Sequence, residues 1–304
     1  MLFRIIAVLV LTAQVVMSAS LPLRVVSFNI RYAATSLETN EKPWWNLFCF
    51  ASSSLCRQPH VIKHLSQISA NATEGASTVF GLQEVLDNQL TDILSGLGSG
   101  WKHIGVGRDN GAKSGEYSPI IYRSDVFSVL YSETKWLSTT PDVVSFGWGA
   151  GSRRVVTIGV FQHTATGKRF IHANTHLDNV SSQARNEGIK VVVARIKAAQ
   201  ATWGPLAIML TGDFNSDPNG EAYQTLVGLG YMEDMWNVAP HSGSNQLTYT
   251  GFTTTGVSRI DYVWLGATTT TRLYTARKIE FMSNVDEGII FSDHRSVVGD
   301  ITLL

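Results

Sequence analysis

Short apolar runs rich in β-branched and aromatic residues recur down the whole chain: "LRVVSFNIR", "STVFGLQEV", "SPIIYR", "FSVLYSETKWL", "RRVVTIGVFQH", "RFIHANTHL", "LAIMLTGDF", "RIDYVWL", "TTRLYTARKIEF" and "HRSVVGDITLL". Most are bounded by Gly, Pro, Asn or Ser, as strands between turns are. Helical periodicity is confined to a few segments. In "PHVIKHLSQISANA" the residues Val61, Ile62, Leu65 and Ile68 share one face. "VLDNQLTDILSGL" and "SSQARNEGIKVVVARIKAAQATW" repeat the pattern, the latter stopped by Gly204-Pro205, and a shorter helix follows Asn219. Many strands and few helices predict an α/β protein of two packed sheets with helices outside.

The polar residues fall at one kind of place, where the apolar runs stop. "VVSFNIR" ends on Asn29 and Arg31, and "VFGLQEV" on Gln83 and Glu84. "IHANTHLDN" ends on Asn174, His176 and Asp178, and "IMLTGDFNSD" on Asp213 and Asn215. "SRIDYVW" holds Asp261, and "FSDHRS" opens the last strand with Asp293 and His294. Each run would bury an ionisable group unless that group had a partner. Any one of them alone is an ordinary turn residue or a satisfied core histidine. Six such endings together point to one shared site.

Its chemistry fits a hydrated Mg²⁺ and a phosphate, because Mg²⁺ takes one or two carboxylates and leaves positions for water and phosphate oxygens. Glu84 is the expected main ligand, with Asn29 orienting that carboxylate or donating to a phosphate oxygen. Alternation places Asp213 and Asn215 on one face of an extended strand, one for the attacking water and the other for a phosphoryl oxygen. Asp293 and His294 converge only if they sit at a loop edge. A carboxylate beside His176 or His294 would keep that ring protonated and able to stabilise a developing negative charge.

The motifs "SFNIR", "GLQEV", "NTHLDN", "TGDFNSDP", "RIDYVW" and "SDHRSVV" occur in the order seen in the endonuclease/exonuclease/phosphatase superfamily, which the chain resembles from about Leu21 to its C-terminus. That superfamily includes deoxyribonuclease I, apurinic endonucleases, inositol polyphosphate 5-phosphatases, neutral sphingomyelinases and the carbon catabolite repression type deadenylases. The resemblance implies a four-layer αββα sandwich of mainly antiparallel sheets over residues 21–304. It also implies a Mg²⁺-dependent phosphoester hydrolase, with Mn²⁺ able to substitute. By it, Glu84 and Asn29 are the metal-side pair, joined by Asp293. His176 contacts phosphate, Asp213 and Asn215 activate water and hold the phosphoryl group, Asp261 is the acid that orients a catalytic histidine in some branches, and His294 is the phosphate or base histidine. "GVGRDNGAKSGEYSPIIYR" looks most like small secreted or bacterial members. Arg31 and Asp178 are further candidates for substrate binding.

The rest of the chain narrows the setting. "MLFRIIAVLVLTAQVVMSAS" has the basic start, apolar stretch and small-residue end of a signal peptide, so residues 1–20 are a leader and the enzyme is expected outside the cell. No other stretch is apolar enough to span a membrane. Cys49 and Cys56, in "CFASSSLC", then form a disulfide closing a short loop. They sit in a long segment, Tyr32 to Gln58, which carries Trp44 and Trp45 as candidate substrate contacts; the other long loop runs from Ser138 to Ser152. Asn71 and Asn179 head N-glycosylation patterns. With 24 basic and 24 acidic residues there is no global field for nucleic acid or anionic membrane. A monomer acting on a phosphoester is expected. A nuclease-type phosphodiesterase leads, phosphorylated sugars, inositols or lipid headgroups come next, and a non-catalytic binding module is the reading from another class.

Overall fold

The computed structural model describes residues 20–304 apart from 74, 244, 245 and 270, so the expected leader lies outside the described residues but for Ser20. The chain enters a first sheet through β1 (Leu21–Asn29), β2 (Ser77–Gln83), β3 (Trp101–Ile104) and β4 (Ile120–Arg123). It crosses to a second sheet made of β5 (Phe127–Trp136), β6 (Val155–His163), β7 (Arg169–His176), β8 (Ala207–Asp213), β9 (Met232–Asp234) and β10 (Asp261–Gly266). It returns through β11 (Tyr274–Phe281), a hairpin of β12 (Val285–Asp286) and β13 (Ile289–Ile290), and β14 (Val297–Leu303). The sheet orders are β11-β14-β1-β2-β4-β3 and β5-β6-β7-β8-β10-β9. In each, one central pair is parallel, β1 with β2 and β7 with β8. The other pairs are antiparallel.

Side-chain alternation along the strands builds three apolar layers. On β1, Leu21, Leu23 and Val25 point between the sheets, where they meet Val79, Phe170, Met209 and Val263. Val26 and Phe28 point the other way, under α1 (Gln58–Ala70) and α2 (Asp87–Leu97), against Val61, Leu65 and Ile93. The outer face of the second sheet is covered by α3 (Ser182–Trp203) and α4 (Glu221–Leu229) through Ile189, Val192, Ile196 and Leu226. A four-residue helix, α5 (Met235–Val238), sits beside β9 and β11. The result is the αββα sandwich, with the four longer helices where the periodicity placed them. Strands β3 and β9 and the β12–β13 hairpin are too short for the sequence pattern to reveal.

A polar bridge locks the two sheets together near one end. Gln83 Nε2 donates to Asn174 Oδ1 at 2.7 Å, and Thr211 Oγ1 donates to the same oxygen at 2.9 Å. Asn174 Nδ2 donates to the carbonyls of Leu82 and Pro119. Gln83 and Asn174, which end their runs like the site residues, are therefore spent between the sheets. Gly81 makes this approach possible, since a Cβ there would collide with Thr211 Oγ1 and Asn174.

Candidate active site

Strands β1 and β2 are parallel, β7 and β8 likewise, and a hydrogen bond from Asn29 at the end of β1 to Asp213 at the end of β8 ties the sheets together there, so the C-terminal ends of all four lie at one end of the sandwich. The register makes this specific. His176 pairs with Asp213 across β7 and β8, and Asp213 pairs with Asp261 across β8 and β10. Asp293 and His294 lie just before β14, whose start is antiparallel to the end of β1. The strands thus deliver acids, amides and histidines from both sheets to the floor of one cavity of about 580 Å³. Arg31, Glu84, His176, Asp213, Asn215, Asp293 and His294 line it. Asn29 and Asp261 are fully buried behind that lining.

Three of these positions leave their strands through left-handed backbone: Arg31 at φ 59°, Glu84 at φ 60° and Asn215 at φ 47°. Non-glycine residues rarely adopt it, and at such places the strain aims a side chain. Asn215 is consequently not on an extended strand with Asp213, as alternation implied. Strand β8 stops at Asp213, whose Oδ1 accepts from the Asn215 backbone N–H at 2.9 Å, closing a tight turn. Asn215 Nδ2 then donates to His176 Nε2 and to the Leu177 carbonyl, both at 3.0 Å. The turn and the site are the same feature.

Asn29 Nδ2 donates to Glu84 Oε1 and to Asp213 Oδ2, and the Tyr32 N–H binds Glu84 Oε2 at 3.1 Å. Asp213 Oδ2 also faces two imidazoles, His176 Nε2 at 3.6 Å and His294 Nε2 at 3.7 Å. The two rings are in opposite states. Burial drives His176 well below the usual histidine range, helped by the Arg154 and Arg108 cations. Burial opposes charge on His294 as well, but Asp261 and Asp293 overcome it and hold that ring well above the usual range. Its Nδ1 lies 2.8 Å from Asp261 Oδ2. Burial and the neighbouring Asp261 push Asp213 up to about 7, a pKa suited to exchanging a proton near neutrality. Burial likewise raises Asp293 to about 6, with Glu84 adding to it and His294 opposing it.

Two groups of donors could hold a cation. Asp213, Asp261 and His294 present ligand atoms all within 4.8 Å of one another. In that group, however, Asp261 Oδ2 and His294 Nδ1 already bond to each other. Glu84 and Asp293 form the other group, two mutually repelling carboxylates at the cavity floor, where Asp293 Oδ1 is buried without a partner. Asp261 Oδ1 in the first group is orphaned as well, so the choice rests on donor type: all-oxygen donors suit a hard divalent ion better than an imidazole does.

The remaining sequence candidates are distributed differently. Arg31 lines the cavity but its guanidinium is turned to Glu38 and Glu41. Asp178 is buried and does not line the cavity; it accepts from the backbone N–H groups of Gly151, Ser152, Val180 and Ser181. It orders the loop and the start of α3. Trp44 is buried too, its Nε1 donating to Asp92 on α2 at 2.8 Å, and only Trp45 remains substantially exposed. Cys49 and Cys56 form the expected disulfide.

Among the cavity residues not singled out from the sequence are Arg108, Glu116, Arg154, Tyr32 and Tyr249. Arg108 and Glu116 form a two-pronged ion pair, at 2.8 and 2.7 Å. Burial raises Glu116 to about 7, with Glu84 adding to it and Arg108 and Arg154 opposing it. Its carboxylate stands 3.8 Å from His176 Nδ1. Arg154 Nη2 donates to Asn179 Oδ1, while its Nη1 is buried without a partner. The charged, glycine-rich stretch "GVGRDNGAKSGEY" was the available signal for Arg108 and Glu116.

The model of the Endonuclease/Exonuclease/phosphatase family matches residues 44–294. No curated protein matches the chain. Among solved structures, a member of this family from Bacteroides thetaiotaomicron is 27% identical with TM-score 0.78, covering 94% of this chain and 97% of that one. A second, from Bacteroides vulgatus, is 29% identical with TM-score 0.77, covering 93% and 99%. A Bacteroides thetaiotaomicron mannosyl-6-phosphatase is 28% identical with TM-score 0.74, covering 92% and 99%. Fold, cavity and comparisons agree: the chain belongs to the Endonuclease/Exonuclease/phosphatase family and is a metal-dependent phosphoester hydrolase.

Proposed function

We propose that this hydrolase is secreted and removes phosphate from phosphorylated sugars. The observation that carries this reading is the cavity itself, whose arginines each already stand beside a carboxylate. Arg31 faces Glu38 and Glu41, Arg108 faces Glu116, and Arg154 lies beside Asp178. Polynucleotide binding draws its affinity from uncompensated Lys and Arg along a phosphate track. Similarity to a mannosyl-6-phosphatase at 28% identity over nearly the whole chain supports the same choice. The nuclease-type reading favoured by the sequence therefore becomes the alternative. Secretion is supported by the leader-like first twenty residues and the disulfide.

In this reading Glu84 and Asp293 would hold a Mg²⁺, or Mn²⁺ in its place, which would supply charge neutralisation at the phosphoryl oxygens. Asn29 keeps Glu84 and Asp213 at fixed separation. Asp213 takes a proton from the attacking water at Oδ2. His294, held through Nδ1 by Asp261, presents Nε2–H to the charge that develops on the phosphoryl group. Asn215 Nδ2, donating to Nε2, holds neutral His176 in place in the cavity wall beside Asp213.

The test is a substrate panel with Mg²⁺ and Mn²⁺: mannose 6-phosphate and other sugar phosphates, inositol phosphates, sphingomyelin, and single- and double-stranded nucleic acid. Sugar phosphates should give the highest kcat/KM. A polynucleotide turned over faster than every sugar phosphate would overturn the proposal.

A further inference from the structure

A second cavity, of about 510 Å³, adjoins the first, and nothing in the hydrolysis described above uses it. The two share a wall. Arg31 and Tyr32 line the catalytic cavity, and the next residues, Ala33, Ala34 and Thr35, line the other. The chain passes from one lining to the other between Tyr32 and Ala33, whose Cα atoms are about 3.8 Å apart, so this segment borders both spaces. The wall is fixed in place, since Tyr32 N–H binds Glu84 Oε2 and Ala33 N–H binds Gln89 Oε1.

The rest of the lining is aromatic and uncharged or acidic. Trp44 forms part of it, with Asp92 tied to its indole, and Pro43, Asn88, Gln58 and the 41% exposed Trp45 complete it. No lysine or arginine is present, so the cavity does not recognise a phosphate. A carboxylate and two amides make it a poor seat for an acyl chain. An indole beside a carboxylate and planar amides does match a sugar ring, which offers an apolar C–H face rimmed by hydroxyl groups.

The segment carrying Trp45 is pre-shaped. The Cys49–Cys56 disulfide closes it. The Arg57 and Gln58 N–H groups bind the Pro43 and Trp44 carbonyls at 3.0 Å. Fully buried Arg57 donates to the carbonyls of Ile30, Arg31, Tyr32, Lys42 and Phe291. A ligand stacking on Trp45 therefore has little loop to immobilise.

We propose that this second cavity is a subsite for an uncharged sugar residue joined to the phosphorylated one, so that the preferred substrate is a phosphorylated oligosaccharide. The inference rests on the sugar-phosphate reading above and names its substrate class. Binding energy from the remote sugar is then available to position the phosphate for attack.

The test compares kcat/KM for mannose 6-phosphate and for mannotriose phosphorylated at one 6-hydroxyl, in wild type, Trp45→Ala and Asn88→Ala. Wild type should favour the trisaccharide by about tenfold or more, and both variants should pull that ratio toward one. A ratio unchanged by either variant overturns the subsite and leaves the sugar-phosphate reading standing. If neither sugar is hydrolysed while another phosphoester is, the sugar-phosphate reading fails. The subsite is then judged by fluorescence titration with unphosphorylated mannotriose. Saturable binding lost in Trp45→Ala supports a sugar site, and no binding overturns it. Exposed Leu47, Phe48 and Phe50 on the same segment supply the competing outcome. Sedimentation with zwitterionic phosphatidylcholine vesicles that depends on Trp45, with no effect of Trp45 on either sugar, overturns the proposal in favour of a lipid surface.

Discussion

Glu84 and Asp213 come from different sheets, yet one nitrogen holds both: Asn29 Nδ2 stands 3.0 Å from Glu84 Oε1 and 3.0 Å from Asp213 Oδ2. The amide is a spacer between a metal-side acid and a base. Asn29→Ala should leave both carboxylates short of a donor and lower kcat by about 10²-fold, roughly 3 kcal/mol of barrier. Thermal unfolding followed by circular dichroism should show a much smaller change. A variant with full kcat would mean that the spacing does not matter.

Glu84→Gln keeps the shape and hydrogen-bonding reach of the side chain but removes its charge. Metal affinity, read by titrating Mg²⁺ into chelator-treated protein and following activity, should weaken, and turnover should fall by about 10²-fold or more. If half-saturation by Mg²⁺ is unchanged, Glu84 is not the principal ligand.

The charge on His294 sets the direction of a pH effect. Burial pulls its pKa down and Asp261, with Asp293, pushes it up by more. In Asp261→Asn the downward pull loses its main opponent, so the imidazolium gives up its proton at lower pH. The alkaline limb of the pH–kcat profile should move toward acid. A profile that falls in height without moving would leave Asp261 only a packing role.

Acid stability should report on a histidine behind the site. His64 is buried between Phe28 and Phe291, with Nε2 at 2.9 Å from Ser296 Oγ, and burial lowers its pKa from 6.5 to about 4. The folded state keeps this ring neutral, so its contribution is complete above about pH 6.5 and is lost as pH falls toward about 4, where the unfolded chain takes up the proton first. The full effect is roughly 3 kcal/mol. Urea unfolding at about pH 7.5 and about pH 4.5 should show a smaller loss for His64→Gln than for wild type. Equal losses would assign the acid sensitivity to other groups.

Strand ends were the readable part of this sequence because burial forces a rule on them: a carboxylate after an apolar run needs a reason. That logic placed Glu84, Asp213, Asp261 and His294 together from the residues alone. It misjudged Gln83 and Asn174, for the same reason. A buried amide bridging two sheets satisfies the rule as well as a catalytic one does, and only the facing sheet tells them apart. Trp44 and Asp178 depended on partners far along the chain, Asp92 on α2 and the Gly151 loop, which no local pattern reveals. Asn215 was missed in geometry though not in identity, since a strand's alternation was carried past the residue where the strand stops. Arg108 and Glu116 lie outside any periodic pattern that would flag them, and Arg154 stands at the start of the run "RRVVTIGVFQH", where a rule about strand ends does not look.

The left-handed backbone at Arg31, Glu84 and Asn215 sets selection for foldedness against selection for turnover. Glycine occupies that region without the clash a Cβ creates. At these three places a sequence optimised only for a well-folded chain would drift toward glycine and erase the groups the cavity needs. Libraries of this protein screened for heat resistance alone should therefore enrich glycine there, and the sturdiest survivors should be inert.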